Sequence, residues 1–519
     1  MSTRANNTTI AGWIIFLSAF FLFNITLFIG KYEITATSLR SSGLNDEQLE
    51  ILTTELGTIP VQNLSKYEIV RRVSPALTVM NDKLKQDGRT NLVIYNMPEM
   101  VFQIAKGGLT GFYAKNRALF FILVFLPGIL GALMIYMPKL KHEKPGIKNN
   151  GIYFNPLTAR KWLGYSLSAY LVLFYVFLYF LPVHITEMIA ITDPVSESIL
   201  GSPAGKWFMY GLLYTIFILV MGIRFIIRYR HNRYQILRTI SVIFFQTVIA
   251  FSIPQILTIL QKPYMDFKNI WPLDYSFFFS YRINEYLSAG TLGYFMLFWG
   301  IALIIIAVPL FTWLYGKRWY CSWVCGCGGL AETAGDPFRQ LSDKSLKAWK
   351  FERIAIYSVL VFASVMTLLT IVSMFLPDNN IFGAPVNVLH GIYGFLVGSV
   401  LAGVIGTGFY PVMGNRVWCR FFCPLAGYLG IIQRFKSRFR ITTNGGQCIS
   451  CGNCSTYCEM GIDVRSYAQN GQNIVRASCV GCGICAAVCP RGVLKLENGP
   501  VKGRIKENPV LTGNLNNIS

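Results

Sequence analysis

CISCGNCSTYCE, residues 448–459, and CVGCGICAAVCP, residues 479–490, repeat one spacing of cysteines, C-x2-C-x2-C-x3-C. Three thiolates separated by two residues can curl around three irons of one cubane, while the fourth, beyond the next turn, reaches the other cluster. The spacing therefore predicts one 4Fe–4S cluster on Cys448, Cys451, Cys454 and Cys489, and a second on Cys479, Cys482, Cys485 and Cys458. Gly452, Gly481 and Gly483 permit the tight turns that aim backbone amides at sulfur. Pro490 closes the second run, whereas Glu459 follows the first, a departure that removes no ligand. Zinc also accepts four cysteines, but it does not call for two full copies of this run. Thirteen cysteines, an odd number in gaps of two and three residues, make a poor disulfide framework.

Upstream of residue 440 the composition changes. Of 519 residues, 53% are hydrophobic and 14% charged, against about 25% charged in a typical soluble protein. This excludes a disordered chain and argues against an all-soluble enzyme. Eight apolar segments, 10–30, 118–137, 162–182, 207–227, 239–260, 291–314, 354–376 and 389–411, are long enough to cross a hydrocarbon core. The first reads as an uncleaved anchor rather than a signal peptide.

Basic residues gather in alternate loops: Lys139, Lys141, Lys144 and Lys148; Arg224, Arg228, Arg230, Arg233 and Arg238; Lys317 and Arg318; then Arg416, Arg420, Arg434, Lys436, Arg438 and Arg440. The intervening loops carry Glu187, Asp193, Glu197, Asp274 and Asp378, although 261–290 also holds Lys262, Lys268 and Arg282. That bias predicts both termini and the cysteine-rich tail on the cytoplasmic side of a bacterial-type inner membrane. Segment 31–117 is then an extracytoplasmic insert, and the net charge of +22 reflects topology rather than a nucleic-acid surface.

A second repeat lies at the inner ends of the sixth and eighth segments. GKRWYCSWVCGCGGL, 316–330, aligns without gaps on GNRVWCRFFCPLAGY, 414–428. Each Cys-x3-Cys pair is expected to share one helical face, its residues one turn apart. Cys321, Cys325, Cys419 and Cys423 together supply the four thiolates that one cluster requires. They suit a third iron–sulfur cluster, a dithiol–disulfide couple or copper, or they are small buried hydrophobes. Cys327 is the odd one, since Leu425 occupies its aligned position.

The expected architecture is a multi-span α-helical membrane protein with a C-terminal α+β two-cluster ferredoxin domain and an N-terminal extracytoplasmic insert. Its parts are an anchor at 1–30, the insert at 31–117, membrane helices at 118–411, the second motif and a basic linker at 412–440, the ferredoxin at 441–498 and a tail at 499–519. The tail half is similar to bacterial two-cluster ferredoxins over residues 440–498, and residues 160–500 resemble the membrane polyferredoxins NapH, NosR and CcoG. Cys419, Cys423 and Pro424 match the family's CxxxCP form; Cys321 and Cys325 match its cysteines, but Gly326 replaces the proline. NapH and NosR are associated with moving electrons from the quinol pool or cytoplasm toward periplasmic reductases, and CcoG with copper handling for oxidase assembly. The resemblance implies a quinol dehydrogenase-like electron-transfer subunit that partners lipid, quinone and other redox subunits. Its alternatives are a copper-handling assembly factor and a redox-sensing regulator. NosR-like members attach flavin through a Ser/Thr-Gly-Ala-Thr element, which 31–117 lacks, so covalent flavin does not carry over.

Other chemistry is sparse. Paired mid-helix histidines for haem are lacking among His142, His184, His231 and His390. His184 and His390 fall near outer helix ends, where with Glu187 they would suit proton acceptance or a haem, or simply interfacial hydrogen bonding. Trp271 and Phe277, Phe278 and Phe279 read as interface markers. Within the insert, 45–57 is predicted helical and NLVIY, 91–95, a short strand.

Overall fold

The computed structural model describes residues 3–57, 59–142, 145–146, 160–376, 380–381, 384–444 and 447–499. Lys144, Lys148, Asp378 and the tail from 500 onward lie outside these residues. The described chain is mostly helical. Among the described residues, eight helices are long and apolar enough to cross a membrane: Asn6–Phe28, Arg117–Leu140, Trp162–Phe180, Lys206–Tyr229, Arg233–Ile259, Thr291–Tyr315, Leu346–Ser373 and Val388–Gly408. Each overlies one expected segment. Only 17–28% of each span is buried in protein, so most of its apolar surface is left to contact lipid.

The chain divides into two compact units, Met1–His142 with Leu173–Leu213, and Glu143–Val172 with Tyr214–Ser519. In the first, helices Thr3–Ile25 and Arg117–His142 pack closely because glycines meet at their crossing. A Cβ on Gly131 would lie 2.8 Å from the Gly12 carbonyl oxygen, the close approach that small residues allow between membrane helices. A three-stranded antiparallel sheet, ordered Val61–Leu64, Lys31–Ile34, Leu109–Thr110, anchors the insert. Helices Asp46–Leu56 and Lys66–Gln86 begin with capping boxes, Asn45 with Gln48 and Ser65 with Glu68.

Residues 91–95 are not a strand. The Asn81 side chain donates to the Ile94 carbonyl (2.8 Å) and accepts from the Ile94 amide (2.9 Å). Gln48 meanwhile donates to the Leu92 carbonyl (2.7 Å). The backbone groups a ladder would use are thus taken by side chains. Asn81→Ala is expected to cost about 1–3 kcal/mol, because both Ile94 groups lose their partner. Faster amide exchange at 92–96 in the full chain is the measurement.

Glu187 and Asp193 also prove structural: Lys66 Nζ sits 2.8 Å from Glu187, and Lys106 Nζ 3.0 Å from Asp193, with Arg117 on its other oxygen. His184 packs between Tyr67 and Phe177, and burial with the nearby Lys66 charge pushes its pKa down.

In the second unit, segment 261–290 does not stay at a helix end. Trp299, well inside its span, donates to the Phe267 carbonyl (2.8 Å), and Trp271 donates to Thr367 within Leu346–Ser373 (2.9 Å). Non-helical backbone at that depth is tolerated where protein buries it. Lys268, paired with Asp266 at 2.9 Å, lies within electrostatic reach of Cys325 and Cys327. Of the charges that blurred this loop, Lys268 is therefore internal, whereas Lys262 is exposed. Phe277 and Phe279 are buried, not interfacial. Gly300 leaves room for the Phe277 ring, which a Cβ there would approach to 2.3 Å. Phe279 stacks on His390, whose Nε2 is 2.8 Å from the Thr370 hydroxyl.

Candidate iron–sulfur sites

The cysteine-rich lobe is built on two strands, Phe439–Thr443 and Leu494–Asn498, paired antiparallel from Phe439↔Asn498 to Thr443↔Leu494. Each cysteine run then makes the same turn. Gly452 (φ +80°) and Gly483 (φ +75°) stand between the second and third cysteines and begin the short helices Asn453–Thr456 and Ile484–Ala487. Left-handed backbone at these two places is what glycine supplies cheaply.

The fold brings the two predicted sets together. Cys448, Cys451, Cys454 and Cys489 line one recess, alongside Pro490 and Arg465. Cys458 lies within electrostatic reach of Cys479 and Cys485, which in turn senses Cys482. Burial pushes the Cys454 and Cys479 thiols up to about 11. Bare thiols in such places keep their protons, so metal and amide donors are needed to favour thiolate. The Ile462 amide donates to Cys458 Sγ at 3.4 Å. Among the described residues no three His, Cys, Asp or Glu side chains converge as a single-ion site. A thiol-lined recess with amides on sulfur fits a cluster. The sets differ in depth: Cys451 is exposed, while Cys479 and Cys485 are buried.

Both membrane motifs fold alike, but not as one helical face. Cys321 ends the turn Arg318–Cys321 and Cys325 caps the next helix, Gly326–Thr333. Cys419 lies in a wide π turn, Trp418–Phe422, and Cys423 caps Pro424–Lys436. Pro424 cannot sit in a helix interior and holds its predecessor extended, so the helix must restart there. Gly326 takes that first position in the other copy. The repeat extends to the backbone: the Cys325 amide donates to the Tyr320 carbonyl (2.8 Å) and the Cys423 amide to the Trp418 carbonyl (2.9 Å). All four cysteines are buried in one core and within electrostatic reach of one another. Cys327 is not remote from them. It is hydrogen-bonded to Cys325 and senses Cys419 and Cys423.

The lobe is clamped onto this region by four consecutive carbonyls. Cys479 accepts from Gln433 (2.7 Å), Val480 from Ser322 (2.8 Å), Gly481 from Tyr234 (2.9 Å) and Cys482 from Gln235 (2.8 Å). Gly481, at φ +63°, leaves no room for a side chain, since a Cβ would come 2.6 Å from that of Arg318. Gly481→Ala is expected to cost about 1–3 kcal/mol and to speed limited proteolysis at the lobe boundary, while Gly492→Ala, at another positive φ but in open space, leaves the docking contacts unchanged.

A buried charge network fills the space between the thiol groups. Glu459, where the other run has proline, accepts from Arg339 (2.6 Å) and Asn415 (3.2 Å) and pairs with Arg416 (3.1 Å). Arg416 reaches Cys419 Sγ (3.7 Å) and the Cys321 carbonyl (3.3 Å), and Arg339 reaches Cys482 Sγ (3.9 Å). Burial alone would raise the Asp336 carboxyl, but Arg228, Arg224 and Arg339 hold it down at about 2. Burial likewise works against ionised Glu459, and Arg339, Arg416 and Arg238 overcome it and lower its pKa. Arg224, Arg228, Arg238 and Arg416 are thus internal partners and not only topological charges. Asp336, Arg339, Glu332 and the clamp residues carry no spacing signal in the sequence; only the Glu459 departure and the Gly-x-Arg of each repeat pointed here.

Family profiles match these regions. A 4Fe-4S dicluster domain covers residues 447–494, and a 4Fe-4S binding domain covers 296–345 and again 396–442, one for each membrane motif. The chain therefore carries ferredoxin-type 4Fe–4S domains and is a membrane polyferredoxin-like protein. Among curated proteins it is similar to YccM of Escherichia coli (strain K12), named for electron transport, at 24% identity over 33% of this chain and 47% of that one. It is also similar to the methylamine utilization ferredoxin-type protein MauN of Methylobacillus flagellatus, at 26% identity over 30% of this chain and 52% of MauN. An uncharacterized protein of Methanocaldococcus jannaschii is 26% identical over 35% of this chain and 72% of its own length. The chain thus spans about half the length of YccM and of MauN. No solved structure matches it.

Proposed function

We propose that this chain is a membrane-bound iron–sulfur electron-transfer protein, relaying electrons between two ferredoxin clusters and the quinone pool or an extracytoplasmic redox partner. The carrying observation is the clamp, which fixes the Cys479–Cys482 loop beside Cys321, Cys325, Cys419 and Cys423. In this reading Cys448, Cys451, Cys454 and Cys489 hold the outer cluster, and Cys479, Cys482, Cys485 and Cys458 the inner one. The four motif cysteines hold a third centre. When bound, such clusters supply one-electron carriers; the protein holds and tunes them. Arg339 and Arg416 place positive charge against sulfur, and the exposed Cys451 side offers a soluble partner access. The loop bias, carried by Arg230, Arg233, Arg434, Lys436 and Arg438, supports a cytoplasmic ferredoxin lobe in a bacterial-type inner membrane.

The test uses proteoliposomes containing the full chain, reduced with dithionite and then mixed anaerobically with a short-chain quinone. Reoxidation of the clusters is expected in wild type and its abolition in Cys419→Ser. Equal reoxidation in both would remove the membrane thiols from the route.

A further inference from the structure

A cavity with about 260 Å³ of room opens between helix Leu346–Ser373, helix Pro424–Lys436 and the loop around Arg476. That is just under the roughly 300–1,000 Å³ of drug-sized ligand sites, enough for a small charged group. It is distinct from the thiol recesses, because Cys419 is the one cysteine on its wall.

Charge sets the cavity apart. Lys317, Arg353, Arg420, Arg434 and Arg476 line it against a single carboxylate, Glu352. That carboxylate is already engaged by Arg420 Nε (2.8 Å) and by the Ser478 hydroxyl. The other four cations pair with no carboxylate among the described residues. The five cations are arranged by depth: Lys317 and Arg420 are 1% and 3% exposed, whereas Arg353 and Arg434 stand exposed. Arg420 is held in place through Nε and through Nη1, which donates to the Asp343 carbonyl (2.7 Å). Its Nη2 is buried with no acceptor. An unused guanidinium donor in a buried position is costly unless something accepts from it. Arg476 is fixed as well, stacked on Trp349 at 4.5 Å. Ile356, Met460 and Val475 supply an apolar wall.

We propose that this cavity binds a phosphate ester, its oxyanion facing Arg420 and Lys317 and its body lying along the apolar wall. A neutral ring would leave four positive charges uncompensated, and a lone carboxylate would offset one. A phosphate monoester carries up to two charges and a phospholipid phosphodiester one, and both present several oxygens in the geometry that guanidinium forks match, more acceptors than a carboxylate offers. A cleft of one sign with low-dielectric walls also concentrates such anions. The donor of the phosphate is either a soluble ester or an anionic phospholipid headgroup. An occupant would place negative charge beside Cys419, but the binding itself stands apart from the electron-transfer reading.

The test is thermal unfolding of the full chain in neutral detergent at low ionic strength, titrated with inorganic phosphate, and in nanodiscs of phosphatidylcholine with or without phosphatidylglycerol. Stabilisation by phosphate marks a soluble ester, and stabilisation by phosphatidylglycerol alone marks a lipid headgroup; either supports the site. The double variant Arg353→Ala/Arg434→Ala is expected to weaken the response by roughly tenfold, with cluster absorbance unchanged. The proposal is overturned if neither probe stabilises wild type, or if the double variant responds equally. Cluster spectra recorded on the same samples report separately on the iron–sulfur reading.

Discussion

Replacing Glu459 by leucine is expected to destabilise the protein by about 3–5 kcal/mol, the usual cost of removing one partner from a buried ion pair. Its carboxylate lies between Arg339 and Arg416, and both guanidiniums are fully buried. Without it, two cations remain in a low-dielectric space with Glu332 and Asp336 as their remaining counter-charges. The same residue also bears on potential. Arg339 and Arg416 contact Cys482 and Cys419 sulfurs, so loss of the negative charge between them favours the reduced form on both sides. Glu459→Gln keeps the shape and is expected to raise the midpoint potentials with less loss of stability. Glu459→Pro restores the commoner ferredoxin run yet is expected to destabilise nearly as much as leucine, because the network and not the local loop requires the carboxylate. Thermal loss of cluster absorbance and redox titration followed by electron paramagnetic resonance read the two effects. Unchanged potentials in Glu459→Gln would show that the network is structural only.

That residue also marks the boundary of what the sequence discloses. Cysteine spacing is a local property, so the two-run ferredoxin domain was legible, as were the eight apolar spans, which depend on length and composition. Cys-x3-Cys spacing alone fits one helical face, but Pro424 calls for a helix start and puts Cys423 at its cap. Residues 91–95 had strand composition, but Asn81, ten residues earlier and on another helix, took their hydrogen bonds. Lys268 and Glu187 looked like loop charges, yet each is paired with a partner, Glu187 in full burial. Pairing is tertiary: nothing in a run of residues says which lysine will meet which carboxylate. Cys327 looked spare for the same reason, its alignment partner being leucine while its neighbours in space are thiols.

Anaerobically purified protein is expected to carry about twelve iron atoms per chain, roughly four for each of three cubanes. Cys419→Ser and Cys321→Ser are each expected to bring this to about eight, leaving the two ferredoxin signals intact, since no motif cysteine lines the recess at Cys448. Cys454→Ser is expected to remove a different set, eliminating the cluster nearest the surface and sparing the other two. Cys327→Ala discriminates further. Hydrogen-bonded to Cys325 but supernumerary to four ligands, it is expected to leave iron at about twelve while shifting the third centre's midpoint potential, as loss of a sulfur hydrogen bond does. Metal analysis beside electron paramagnetic resonance reads all four variants. Full iron retention in both Cys419→Ser and Cys321→Ser would end the third-cluster reading. Stoichiometric copper in wild type, lost in those same two variants, would transfer the site to metal handling, because soft thiolates select Cu(I) as readily as iron–sulfur clusters.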